Sequence, residues 1–136
     1  MSQPRKDTFF MRNIVYWATT GLLGLAMVGA GYANLSHSPQ IVQSMQHLGY
    51  PLVVATILGF WKLAGALAIF APGMARLKEW AYAGFFFCFT GAIASHVATG
   101  DGPGGSAPAA VLLALVLISW ATRPTSRGGL MGPDAR

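Results

Sequence analysis

Charge is scarce in this chain, and negative charge almost missing: four Asp and Glu stand against nine Lys and Arg, and charged residues make up 10% of 136 positions. Cysteine is nearly absent too. Cys88 is the only one, which excludes an internal disulfide and a Cys-x-x-Cys relay and leaves a small apolar filler as its ordinary role. No glycine loop built to cradle phosphate, no nucleophile elbow, no HExxH or HxxxH spacing and no pair of histidines at matched depth for a haem is present. These absences exclude the common catalytic constellations and any well-formed metal motif.

Apolar sequence takes their place. The chain is 54% hydrophobic with a mean hydropathy of +0.50, more greasy surface than a small soluble fold can bury. Four runs, 14–35, 51–71, 77–97 and 105–122, are long enough to cross hydrocarbon about 30 Å thick. Backbone groups in lipid must satisfy one another, so the runs are predicted to be helices, and the fold an all-α, four-helix transmembrane bundle in contact with the lipid bilayer. Eight of the nine basic residues flank the runs on one side: Arg5, Lys6 and Arg12 before the first, Arg76 and Lys78 between the second and third, and Arg123, Arg127 and Arg136 after the fourth. The positive-inside rule then predicts cytoplasmic N- and C-termini, with 1–13 and 123–136 as basic tails around a 14–122 membrane domain. Trp17, Trp80 and Trp120 fall at the same side, as interfacial rings should. Positive charge distributed around a bundle in this way does not point to nucleic acid.

The ninth cation, Lys62, lies inside the second run. An intramembrane cation costs at least about 2.5 kcal/mol on insertion scales and requires a partner, a wet cavity or a route to the interface. Gly59 and Gly65 lie one turn to either side, and small residues mark helix-packing faces in membranes, so Lys62 is predicted to face the bundle interior. Gly24 and Gly31 on the first helix and Gly84 and Gly91 on the third are predicted to supply the matching small faces. The nearest membrane acid is Glu79, about 10 Å lower by helical rise, and a loose or water-bridged Lys62–Glu79 pair is the expected intramembrane polar site. The competing arrangement pairs Glu79 with Arg76 or Lys78 and leaves Lys62 to backbone carbonyls and hydroxyls.

A second polar group collects at the opposite ends of the helices: Asn34, His37, His47, His96 and Asp101. His96 and Asp101 are spaced to form a proton-handling pair or, with another histidine, a weak metal site, and a hydrogen-bonded histidine at a wet helix end is favoured over the metal. Pro39 can open a short helix in which Ile41, Met45 and Leu48 share a face, which predicts an amphipathic segment on the outer interface. The stretch 99–106 is rich in Gly and Pro and is expected to turn.

Several words of the sequence have a family character: LGYP at 48–51, ILGFWKLAGALAIFAPG at 57–73, RLKEWAYAGFFF at 76–87 and GAIASH at 91–96, with SW and RP near Ser119 and Pro124. They resemble the DoxX-like family of small bacterial membrane proteins. The resemblance implies a four-helix bundle in the bacterial cytoplasmic membrane, and most of the family has no assigned activity. Three functions compete: an accessory or assembly subunit with no catalysis or cofactor of its own, a membrane subunit of a quinone-linked oxidoreductase working with a redox partner, and a small proton-coupled transporter. Exposed glycines would also permit a homo-oligomer.

Overall fold

The computed structural model describes residues 3–124 and residue 127. Five helices follow in order: α1 (Gln3–Leu35), α2 (Pro39–Leu48), α3 (Leu52–Phe70), α4 (Ala75–Ala98) and α5 (Pro103–Thr122). No strand occurs among the described residues. Four of the helices, all except α2, are long and apolar enough to span a membrane.

The four long helices form a ring in which each packs on its neighbours in the order α1, α3, α4, α5 and back to α1. Successive members run antiparallel, α3 to α4 and α4 to α5 through short turns and α1 to α3 through the segment that carries α2. Arg12 of α1 donates through Nη2 to the Arg123 carbonyl at 3.1 Å, so the start of α1 and the end of α5 share one end of the bundle. That end is called the basic end here, and the other the α2 end.

α1 begins at Gln3, so most of the predicted N-terminal tail is helix. Hydropathy reports burial and not backbone conformation. Nothing in 5–13 breaks the hydrogen-bond ladder, and Pro4 lies in the first turn, where a missing N–H costs little. Residues 3–11 therefore continue past the Arg12–Arg123 contact by about 13 Å. Beyond Arg127, the C-terminal tail lies outside the described residues.

The core is Leu23 and Met27 from α1, Ala66 and Ile69 from α3, Tyr82, Phe85 and Phe89 from α4, and Val116 from α5. A polar knot crosses it. Ser119 Oγ on α5 lies 2.6 Å from Thr20 Oγ1 on α1 and 2.7 Å from Tyr82 OH on α4, with all three residues buried. One hydroxyl thus serves two partners, which fixes three helices in register.

Glycine divides the two faces of α3. A Cβ on Gly31 would come within 2.8 Å of Leu63 and 3.1 Å of the Gly59 carbonyl, and one on Gly59 within 2.9 Å of both Asn34 Cβ and the Gly31 carbonyl. α1 and α3 touch backbone to backbone there. Gly24 is covered by the Phe70 ring and Gly65 by Phe85. Gly84 and Gly91 differ from the expectation of close packing: a Cβ at either meets nothing within 4 Å. Small residues permit close approach but do not compel it, and at these positions no opposing backbone comes in.

α2 starts at Pro39 and stops at Gly49, whose left-handed φ of 76° favours a residue without a Cβ. The α3–α4 turn is closed by Lys78, whose ammonium donates to the carbonyls of Ala71 and Gly73 and is fully buried in doing so.

Candidate functional site

α3 and α4 make the sparsest contact of the ring, and two cavities lie along this seam. The one toward the basic end, about 380 Å³, is walled by Trp61, Ala64 and Gly65 of α3 and Leu77, Ala81 and Gly84 of α4. The one toward the α2 end is about 660 Å³ and is bounded by Ile41, Met45 and Leu48 of α2, by Val54 of α3, by Phe89 and Ala92 of α4 and by Leu112 of α5. Leu58, Lys62 and Cys88 wall both. The two spaces thus meet at the half-buried lysine.

Lys62 and Glu79 are not brought together. Arg123 donates through Nη2 to Glu79 Oε1, and Trp120 Nε1 donates to Oε2 at 3.1 Å. Helical geometry explains the difference from the expected pair. Glu79 and Cys88 are nine residues apart, which places them about 180° apart around α4, so the face that bears Glu79 turns to α5 while the face opposite Lys62 carries Ala81, Gly84 and Cys88. Lys78 is not Glu79's partner either, since it caps the α3–α4 turn, and among the described residues the ion pair of Glu79 is with Arg123 and not with Arg76.

The Arg123 side chain is 1% exposed, and its guanidinium lies 5.4 Å from the Tyr82 ring centroid. Its Nε and Nη1 have no hydrogen-bond acceptor, and the ring face stands in part for one. Arg127 adds another clasp: Nη2 donates to the Ile69 and Phe70 carbonyls at 3.0 Å each, and Nε to Tyr16 OH at 3.3 Å. Lys78, Arg123 and Arg127 were legible only as topological charges. Their sole local signal is that each stands within one turn or two of a span end, where free carbonyls collect.

At the α2 end three of the expected residues assemble. Asp101 Oδ2 accepts from His96 Nδ1 at 2.6 Å, and His47 Nε2 reaches Oδ1 at 2.7 Å and Oδ2 at 2.9 Å. Hydrogen bonds from His96 first, and then from His47, hold the Asp101 carboxyl at about 2, below its ordinary 3.8. Through His47 this cluster ties α2 to the α4–α5 turn. Tyr50 OH and Ser95 Oγ, 2.8 Å apart, make a second tie across the same seam.

Asn34 and His37 stand apart from that cluster. His37 Nε2 pairs with Thr56 Oγ1 at 2.8 Å on the exposed surface. Asn34 is 2% exposed and belongs to the wall of the larger cavity, together with Tyr50, Ser95 and His96, and its Oδ1 has no hydrogen-bond partner. Among the described residues no group of three His, Cys, Asp or Glu is placed to hold a metal ion.

An all-helical chain with four membrane-length apolar helices and an internal polar seam is a multi-pass membrane protein. The model of the DoxX-like family matches residues 18–119, three quarters of the chain, and the protein belongs to that family. Comparisons with curated proteins and with solved structures give no match.

Proposed function

We propose that the protein is an accessory or assembly subunit of the bacterial cytoplasmic membrane, with its basic end in the cytoplasm, and that its working part is a binding site centred on Lys62. The observation that carries this reading is the meeting of two cavities at one intramembrane amine, with a buried, unpartnered Asn34 oxygen in the wall of the larger. Apolar walls with a few convergent polar groups are what ligand sites have in common. Cys88 shares the wall with Lys62, but among the described residues no hydrogen bond joins the thiol to the amine, so binding is favoured over chemistry. The basic-end orientation rests on the Lys and Arg distribution.

A quinone-linked oxidoreductase subunit is the second reading, and His96 favours it. Its Nδ1 is fixed on Asp101 while the ring borders the larger cavity, the arrangement of an imidazole that relays protons through its other nitrogen. Electrons would come from a partner subunit.

The test is purification from native membranes in mild detergent, followed by mass spectrometry of protein partners and of extracted lipids. A partner or an organic ligand retained by the wild type and lost from Lys62→Met is the expected outcome. A chain that purifies alone and empty overturns the proposal, and a retained quinone moves the second reading ahead of the first.

A further inference from the structure

We infer that the larger cavity receives the carboxyl end of a lipid-soluble monocarboxylic acid, an inference that rests on the Lys62 binding site proposed above. Two unmet demands define the head group. Ion pairs among the described residues join His47 and His96 to Asp101 and Arg123 to Glu79, and none reaches Lys62, so the amine has no carboxylate of its own. Asn34 Oδ1, buried in the same wall, has no donor. The two are offset by one turn of α3: the Asn34 Cβ of α1 packs against Gly59, three residues before Lys62.

A carboxyl group meets both demands. Protonated, its O–H donates to the Asn34 oxygen while its carbonyl accepts from Lys62; ionised, it pairs with the ammonium and accepts from the other edge of the carboxamide. The proton passes between carboxyl and amine with no change in the total charge carried into the membrane. An alcohol serves Asn34 and leaves Lys62 without a counter-charge, and a hydrocarbon serves neither. A phospholipid head group belongs at the interface, whereas Lys62 is the eleventh residue of the nineteen in α3. A second acid group would find no cation of its own, since Lys62 is the only Lys or Arg among the described residues of the cavity wall. The remaining wall, Ile41, Met45, Val54, Phe89 and Leu112, suits an alkyl body.

The experiment uses the full chain in phosphatidylcholine nanodiscs, with dodecanoic acid, dodecanol and dodecane as probes and native mass spectrometry as readout. The acid is expected to bind at least tenfold more tightly than the alcohol. Lys62→Met should weaken the acid far more than the alcohol and so erase that preference, Lys62→Arg should keep it, and Asn34→Leu should weaken both ligands. If Lys62→Met does not fold, the wild-type acid-to-alcohol ratio and Lys62→Arg decide. Equal binding of acid and alcohol overturns the carboxyl inference alone. If no probe binds, or if binding survives filling the cavity by Ala109→Phe, the binding-site reading falls with it.

Discussion

α3 has two neighbours and treats them differently. Toward α1 it is closed, with Gly31 and Gly59 bringing one backbone onto the other. Toward α4 it is open, although that side is also furnished with glycine and alanine, and the gap is where both cavities and Lys62 lie. The difference shows that a small residue is half of a packing statement. On the closed side glycine meets glycine across the seam; on the open side Gly65 is filled by the Phe85 ring, which props the helices apart, and Gly84 faces space. α4 can stay clear of α3 because it is anchored elsewhere, by Glu79 to Arg123 and Trp120 and by Tyr82 to Ser119 on α5.

The strongest way to break this contrast is to add bulk on both sides. Gly59→Leu forces a side chain into Asn34, Leu35 and the Gly31 carbonyl and is expected to cost about 3 kcal/mol or more, because a backbone cannot move aside as a side-chain tip does. Gly84→Ala meets open space and should stay within about 0.5 kcal/mol of wild type. Thermal unfolding of both variants in the same detergent checks the pair, and equal losses would remove the distinction between the seams.

Removing the anchor of α4 comes next. Glu79→Ala leaves the Arg123 guanidinium buried without its carboxylate, and the expected loss is about 2 kcal/mol, below the range for fully buried pairs because the Glu79 side chain is two-fifths exposed. Spin labels on α3 and α4 should also report a broader distance distribution across the seam. A narrow, unchanged distribution would show that α4 is held by packing alone.

The smallest effect is on the tie over the open side. The Asp101 carboxyl is depressed from 3.8 to about 2, so whatever its ionised form adds to the fold is present in full above about pH 4 and is lost as the pH falls toward 2. A fluorophore on α2, attached at Gln46→Cys in a Cys88→Ala background, should become more mobile over that interval. Asp101→Asn should be mobile already at neutral pH and insensitive to the same titration.

Much of this architecture is visible in the residues themselves. Spans announce themselves because lipid demands long apolar runs, and α2 is marked by Pro39, by the shared face of Ile41, Met45 and Leu48, and by Gly49. The His96–Asp101 contact is local, five residues apart, and so within reach of sequence. His47 joining it, 54 residues away, depends on how α2 folds back over the ring, which no periodicity encodes. The partner of Glu79 was hidden for a similar reason: rise arithmetic measures depth, while the choice between Lys62 and Arg123 depends on rotation about the helix axis and on which helix stands beside α4. Hydropathy is also blind to the helical start of α1, whose polar turns extend a ladder that apolar residues did not need to begin. The roles of Gly84 and Gly91 were misread because a stripe describes one surface and packing needs two.

The Thr20–Ser119 hydrogen bond has a mechanical consequence. It stitches the first hairpin of the chain, α1 with α3, to the last, α4 with α5, along one edge, while the opposite edge holds the cavities and is closed at the α2 end by the His47–Asp101 and Tyr50–Ser95 pairs. Two half-shells joined along a spine can part at the mouth by a small rotation once the His47–Asp101 and Tyr50–Ser95 pairs open, widening the gap beside Lys62 while the Thr20–Ser119 bond stays closed. Entry from the bilayer then calls for a hinge movement and not for the unfolding of any helix.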